Sequence, residues 1–121
     1  MTDTLRVLVV GSKDARDLVR NAMRFRHHSH LLAASNYWEL CSLSISAAEQ
    51  VSVAVIEVSP SDRDLLRTAE HIRRRWPGAR ILLIGGEAEA LEDQLYDERL
   101  PPSLEAGELL PTMERLVKAK Q

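Results

Sequence analysis

Val51–Ser61, VSVAVIEVSPS, is an apolar, β-branched run that carries one acid, Glu57, near its carboxyl end and breaks at Pro60. A strand that is apolar at nearly every position is buried on both faces, which predicts a parallel sheet covered by helices. In such sheets ligands and chemistry gather at the carboxyl ends of the strands. Glu57 is therefore the first candidate functional residue, either as a working group or as what remains of one.

Working outward, the same pattern recurs. Arg6–Val10, RVLVV, reads as a buried strand that turns out at Gly11-Ser12. Lys13-Asp14 opens an amphipathic helix with Ala15, Leu18, Val19, Ala22 and Met23 at helical spacing. The polar RFRHHSH segment leads to a short strand at Leu31–Ala34, and Ser35 or Asn36 caps a helix running through Trp38, Leu40, Cys41, Leu43, Ile45 and Ala48. After the Val51–Val58 strand, Asp62 is expected to cap a helix with the stripe Leu65, Leu66, Ala69, Ile72 and Trp76, stopped by Pro77-Gly78.

Arg80–Ile84, RILLI, is another all-apolar strand, closed by Gly85-Gly86. A short fourth helix should follow with Ala88, Leu91 and Leu95 on one face, then a brief edge strand at Glu98–Leu100 before Pro101-Pro102. Leu104–Lys118 is the last helix, and Pro111 implies a kink or the first position of a shorter helix. Strands alternating with helices, without repeats or linkers, predict one doubly wound α/β domain over residues 1–121, a five-stranded parallel sheet with helices on both faces.

Composition bounds the function. At 121 residues, with 45% hydrophobic and 28% charged residues, the chain fits one ordinary globular domain. A net charge of −2 lacks the basic footprint of a nucleic-acid binder. A single cysteine, Cys41, cannot form an internal disulfide and fits a reducing compartment. The N-terminus has no signal-peptide pattern, and no apolar run reaches the ~18 residues that span a bilayer. These features predict a cytoplasmic domain without a membrane partner. The chain ends soon after its last helix, so no output domain is expected downstream.

The loop after the first strand, VVGSKDA, has one glycine where a dinucleotide site wants three, and neither a Walker lysine loop nor a Gly-x-Ser-x-Gly elbow occurs. Gly85-Gly86 could cradle an anion, but a glycine pair closing a strand is more often a turn. No nucleophile–base pair or metal constellation stands out, so no catalytic residue, metal or cofactor is assigned and no enzyme is expected.

In order and spacing, RVLVVGSKDARDLV, VSVAVIEVSPSD, RRRWPGARILLIGG and LPPSLEAGELLPTMERLV resemble successive parts of the receiver domains of two-component response regulators, over essentially the whole chain. The resemblance implies a flavodoxin-like, CheY-like fold and a place in phosphorelay signalling. Receivers bind a divalent cation with an acidic pair after the first strand and accept a phosphoryl group on an aspartate ending the third. A Ser or Thr after the fourth strand and a Lys after the fifth bind that group, and together these offset the charge on the transferring phosphoryl.

Carried over by motif, the acidic pair falls on Gly11 and Ser12, the acceptor on Glu57, the hydroxyl on Gly85 and the lysine on Pro101. All depart from the family pattern, and without carboxylates at Gly11 and Ser12 a hard cation loses its usual oxygen ligands. The resemblance therefore implies a degenerate receiver in which ordinary aspartyl phosphorylation fails, with Asp14 and Asp62 as the alternative acids. Glu57 could mimic a phosphorylated aspartate, yet Gly85 and Pro101 supply no reader. The simpler reading is a strand-end acid facing water or pairing with Lys13 or a nearby Arg. The span from Gly85 to Pro101 is short for a receiver, so the fourth helix and fifth strand are abbreviated, and no aromatic residue stands before Pro101; Tyr96 lies too early.

Other groups rank lower. His27, His28 and His30 suggest a metal cluster but lack a thiol or carboxylate nearby and read as solvent-facing. Arg73-Arg74-Arg75 fits the cation preference of a helix C-terminus better than phosphate binding. Glu87, Glu89, Glu92 and Asp93 read as a solvated helix face, and Cys41 as a small core residue. Tyr37 and Trp38 are core or partner surface. The resulting expectation is a phosphorylation-independent interaction module that presents a surface, such as that of its first and last helices, to a signalling protein, a histidine kinase or an output protein, with a homodimer also compatible. The alternative from another class is a nucleotide- or small-molecule-responsive domain, its cleft lined by Gly11, Ser12, Glu57, Gly85 and Gly86.

Overall fold

A computed structural model describes residues 4–24, 26–43, 50–58, 64–85, 95–101 and 106–119. The strands are β1 (Leu5–Val10), β2 (Ser29–Ala34), β3 (Val53–Glu57), β4 (Arg80–Ile84) and β5 (Glu98–Leu100). The helices are α1 (Lys13–Met23), α2 (Tyr37–Ser42), α3 (Leu65–Arg75) and α4 (Ala106–Ala119). All strand pairings are parallel, in the order β2-β1-β3-β4-β5. The fold is the flavodoxin-like, doubly wound α/β sheet that the apolar runs predict. The short fourth helix expected after Gly85-Gly86 lies outside the described residues, as do Asp62 and the acids at 87–93.

Side chains along a strand alternate between the two faces. Val7, Val9, Val53, Val55, Leu82 and Ile84 join α1 and α4 in one core, where they meet Val19, Met23, Leu109 and Met113. Leu8, Val10, Ala54, Ile56, Ile81 and Leu83 join α2 and α3 in the other, against Leu40, Ala69, Ile72 and Trp76. This division explains why the central strands carry no polar alternation. Each fully buried aliphatic side chain contributes about 1.5–3 kcal/mol relative to exposure. The strand order reverses between β1 and β3, registered as Val10 beside Ile56, and this opens a crevice at their carboxyl ends.

Several local expectations change. Ser12 caps α1, its hydroxyl accepting from the Ala15 N–H at 3.4 Å. Asn36 caps α2 by accepting from the Glu39 N–H at 2.9 Å. The helix from Asn36 stops at Leu43, within the expected length, because the chain turns extended there. The N-cap of α3 is Asp64, whose carboxylate makes no capping bond and stands 3.6 Å from Arg67. Leu66, assigned to the buried stripe, is 48% exposed, and Thr68 takes the buried place because it shares a helix face with Leu65, Ala69 and Ile72. Pro111 lies inside α4 and not at its first position. It sits on the solvent side, opposite the buried Leu109, Met113 and Leu116, where a missing N–H disturbs packing least.

The edge strand β5 is fastened by Asp97. Its carboxylate accepts from Arg73 and Arg80, each at 3.1 Å, and from the Ile81 N–H at 2.7 Å, while its own N–H donates to the Ile81 carbonyl. Arg73 also donates to the Ala79 carbonyl at 3.0 Å, so the first arginine of the Arg73-Arg74-Arg75 run joins α3, β4 and β5.

Candidate functional site

Topology brings the sequence-predicted residues to the carboxyl edge of the sheet. Gly11 and Ser12 follow β1, Glu57 ends β3, Gly85 follows β4 and Pro101 follows β5. Backbone bonds tie these ends together: Gly11 N–H donates to the Ala34 carbonyl at 3.0 Å, Val58 N–H to Ile84 at 2.8 Å, and Gly85 N–H to Leu100 at 2.8 Å.

Glu57 turns toward α1. Its Oε1 accepts from the Ser12 backbone N–H at 2.8 Å and its Oε2 from the Ser12 hydroxyl at 3.0 Å. The carboxylate thus meets the exposed amide end of a helix, where orphan N–H groups and the helix dipole favour negative charge. The expected pairing with Lys13 or an arginine is corrected: Lys13 stands 3.9 Å from Asp17, and among the described residues Glu57 bonds to Ser12 instead. The sequence reading missed Ser12 as that partner, although its N-cap preference was a legible signal.

Gly11 is the complement of this arrangement. A Cβ built there would lie 2.7 Å from Glu57 Cβ, 3.2 Å from Glu57 Oε1 and 3.1 Å from Ala15 Cβ. Glu57 therefore passes over a position that has no room for a side chain. Gly85 has φ 81°, a backbone conformation in which an L side chain is strained, so a serine or threonine hydroxyl does not fit without rearrangement. Pro101 is exposed at the end of β5. Chemically, the β1–β3 crevice presents the Glu57 carboxylate, already accepting two hydrogen bonds, beside the Gly11 backbone.

Asp14 is exposed in the first turn of α1. His27, His28 and His30 are exposed, and among the described residues no group of three His, Cys, Asp or Glu side chains could hold a metal ion. None of the described helices is long and apolar enough to cross a membrane.

A second group lies on the α2–α3 face. Tyr37 packs edge-on against Trp38, with centroids 5.2 Å apart, and against His71, at 6.2 Å and 89°. Cys41 is exposed and lies 4.0 Å from His71 Nδ1, which corrects its assignment to the core. In so short a helix, Leu40 takes the inward position and Cys41 is rotated outward. A hydrogen bond to the Cys41 side chain, followed by burial, raises the Tyr37 phenol, while Arg67 and Arg74 act against the rise. Burial, then Arg74 and Arg75, lowers the His71 imidazole.

No protein family model and no curated protein matches the chain. Solved structures do. A two-component response regulator from Clostridium difficile superposes with a TM-score of 0.77 at 15% identity, covering 95% of this chain and 97% of that one. The signal receiver domain of an HD domain-containing protein from Pseudomonas fluorescens Pf-5 also gives 0.77 at 15% identity, over 99% and 91%. An adenylate cyclase from Rhodopirellula baltica gives 0.77 at 13% identity, over 97% and 90%. Identities this low establish a shared fold: the chain has the architecture found in response regulator receiver domains.

Proposed function

We propose that this chain is a receiver-like domain of two-component signalling that works without phosphorylation, by presenting a surface to a protein partner. The observation that carries the reading is the hydrogen bonding of Glu57 to Ser12 above Gly11. In the position of a phosphoacceptor stands a longer acid whose two oxygens already accept from the helix end. In the position of the cation-binding pair stand a glycine without space and a serine that donates to that acid. The glycine conformation at residue 85 and the proline at residue 101 remove the side chains that would sense a phosphoryl group. Phosphomimicry by Glu57 is disfavoured for the same reason, since its carboxylate is directed to α1 and not toward Gly85 or Pro101.

On this reading the domain is cytoplasmic, has no catalytic activity of its own, and has a histidine kinase, an output protein or another signalling protein as its partner. The test is thermal melting of the full chain with magnesium plus beryllofluoride, and intact-mass measurement after incubation with acetyl phosphate. No stabilisation and no phosphoryl adduct are expected. Stabilisation by beryllofluoride that requires magnesium, or an adduct mapped to Glu57, Asp14 or Asp62, overturns the proposal. Stabilisation by a nucleotide would transfer support to a small-molecule-responsive domain.

A further inference from the structure

We infer that the α2–α3 face, centred on Tyr37, Trp38 and His71, is a docking surface for an acidic segment of a partner protein that carries an apolar anchor. The inference rests on the interaction-module reading and names its surface. Trp38 is 62% exposed and Leu66 is 48% exposed, and these are the large hydrophobic side chains that the described surface leaves in water. On α2, Leu40 faces the core and Trp38 faces out; on α3, Leu65, Thr68, Ala69 and Ile72 face the core, which leaves the row through Leu66, Arg67, Glu70 and Arg74 outward.

The face is held ready. Tyr37 bridges the helices by meeting the Trp38 ring on its own helix and the His71 ring on α3. A rigid aromatic group loses little conformational freedom when a partner covers it, and Trp, Tyr and Arg are the residues that dominate binding energy at protein interfaces.

Charge selects the occupant. Arg67, Arg74 and Arg75 of α3 outnumber its Glu70 and N-cap Asp64, although Asp64 lies 3.6 Å from Arg67 and the whole chain carries −2. Glu39, the acid on α2, keeps its charge but is held toward the start of that helix by the Ser35 N–H and hydroxyl. The arginines act on the centre of the face: Arg67 and Arg74 favour an ionised Tyr37, and Arg74 and Arg75 disfavour a charged His71. An anionic segment gains from that positive field, while a cationic one is repelled.

The test uses two synthetic peptides of equal length that share leucine and tryptophan anchors, one with glutamates and one with lysines at every other position. Each is titrated into the isotopically labelled full chain and followed by amide and indole NMR signals. The glutamate peptide is expected to shift Tyr37, Trp38, Cys41, Arg67, His71 and Arg74 saturably. The amides of the buried Leu109 and Met113 in α4, on the other side of the sheet, serve as the internal control and stay unmoved. Trp38→Ala and Arg67→Glu/Arg74→Glu should each weaken binding by about tenfold or more. Both are surface changes, and an unchanged melting temperature shows that they act on binding. No saturable shift on this face at millimolar glutamate peptide, equal binding of the lysine peptide, or shifts confined to another face would overturn the inference. So would concentration-dependent self-association abolished by Trp38→Ala, which would make the occupant a second copy. None of these outcomes bears on beryllofluoride or acetyl phosphate, so the surface and the phosphorylation-independent reading fail separately.

Discussion

Gly11→Ala is the smallest change that probes the Glu57 arrangement. Gly11 does not have a positive φ, so its missing side chain reflects space and not backbone conformation. In open space the substitution would stabilise by about 0.4–1 kcal/mol, by restricting the unfolded chain. Here the new carbon meets Glu57 Cβ at 2.7 Å, a contact with a rigid strand position and not with a flexible tip. Overpacking of that kind costs about 1–3 kcal/mol, so the net loss should be about 1–2 kcal/mol. For 121 residues the unfolding entropy is about 0.25 kcal/mol/K. The midpoint should therefore fall by about 4–8 °C in thermal melts followed by circular dichroism.

A double-mutant cycle isolates the cause. Glu57→Gly removes the Cβ and the carboxylate together, at its own cost, and leaves the milder 3.1 Å contact with Ala15 Cβ. In that background Gly11→Ala should be near neutral, which gives a coupling of about 1–2 kcal/mol between the two positions. Glu57→Ala keeps the Cβ and should relieve only part of the clash. Additivity within about 0.5 kcal/mol, or a Gly11→Ala protein that melts higher than the parent, would refute the steric pairing of Gly11 with Glu57.

Three further outcomes follow from the geometry. Asp97→Asn should cost about 2–3 kcal/mol, because Arg73, Arg80 and the Ile81 N–H lose a shared anion; the urea midpoint should fall at constant m, and an unchanged midpoint would remove Asp97 as the fastener of β5. Gly85→Ala should cost about 1–2 kcal/mol from its φ of 81°, and a melting temperature equal to the parent's would count against the strain. Since the His71 imidazole is held below its ordinary value, the unfolded chain takes up the proton first as the pH falls. The stability given by neutral His71 is then full above about pH 6.5 and declines as the pH drops through that value toward the folded pKa. His71→Gln should flatten this part of the stability–pH curve, and an identical slope in both proteins would rule the group out.

The sheet was legible because burial on both faces writes itself into RVLVV, VSVAVIEV and RILLI as unbroken apolar runs. Glu57 was legible as the acid at a strand end. Its partner was not, since the Ser12–Glu57 bonds join residues 45 positions apart and exist only through the β1–β3 register. Asp97 escaped for the same reason, as its donors come from α3 and β4. Cys41 and Leu66 were misplaced where an apolar residue was assumed to face inward. In the six-residue α2 there are too few turns for periodicity to fix a face, and on α3 the small Thr68 fits the packed side better than a second leucine.

The residues at the sheet edge are coupled by charge as well as by space. A cluster of carboxylates in one crevice repels itself unless a cation sits among them, and each carboxylate removed lessens the need for the cation. With glycine and serine after β1, the Glu57 carboxylate is met by the Ser12 N–H, the Ser12 hydroxyl and the dipole of α1. Donors of this kind cannot be withdrawn and returned as a metal or phosphoryl group can. On the proposed reading, regulation of this domain therefore enters through its surface. The outward aromatic and basic side chains of α2 and α3 lie on the opposite side of the sheet from the α1–α4 core, so a partner bound at the proposed surface would leave Glu57 undisturbed.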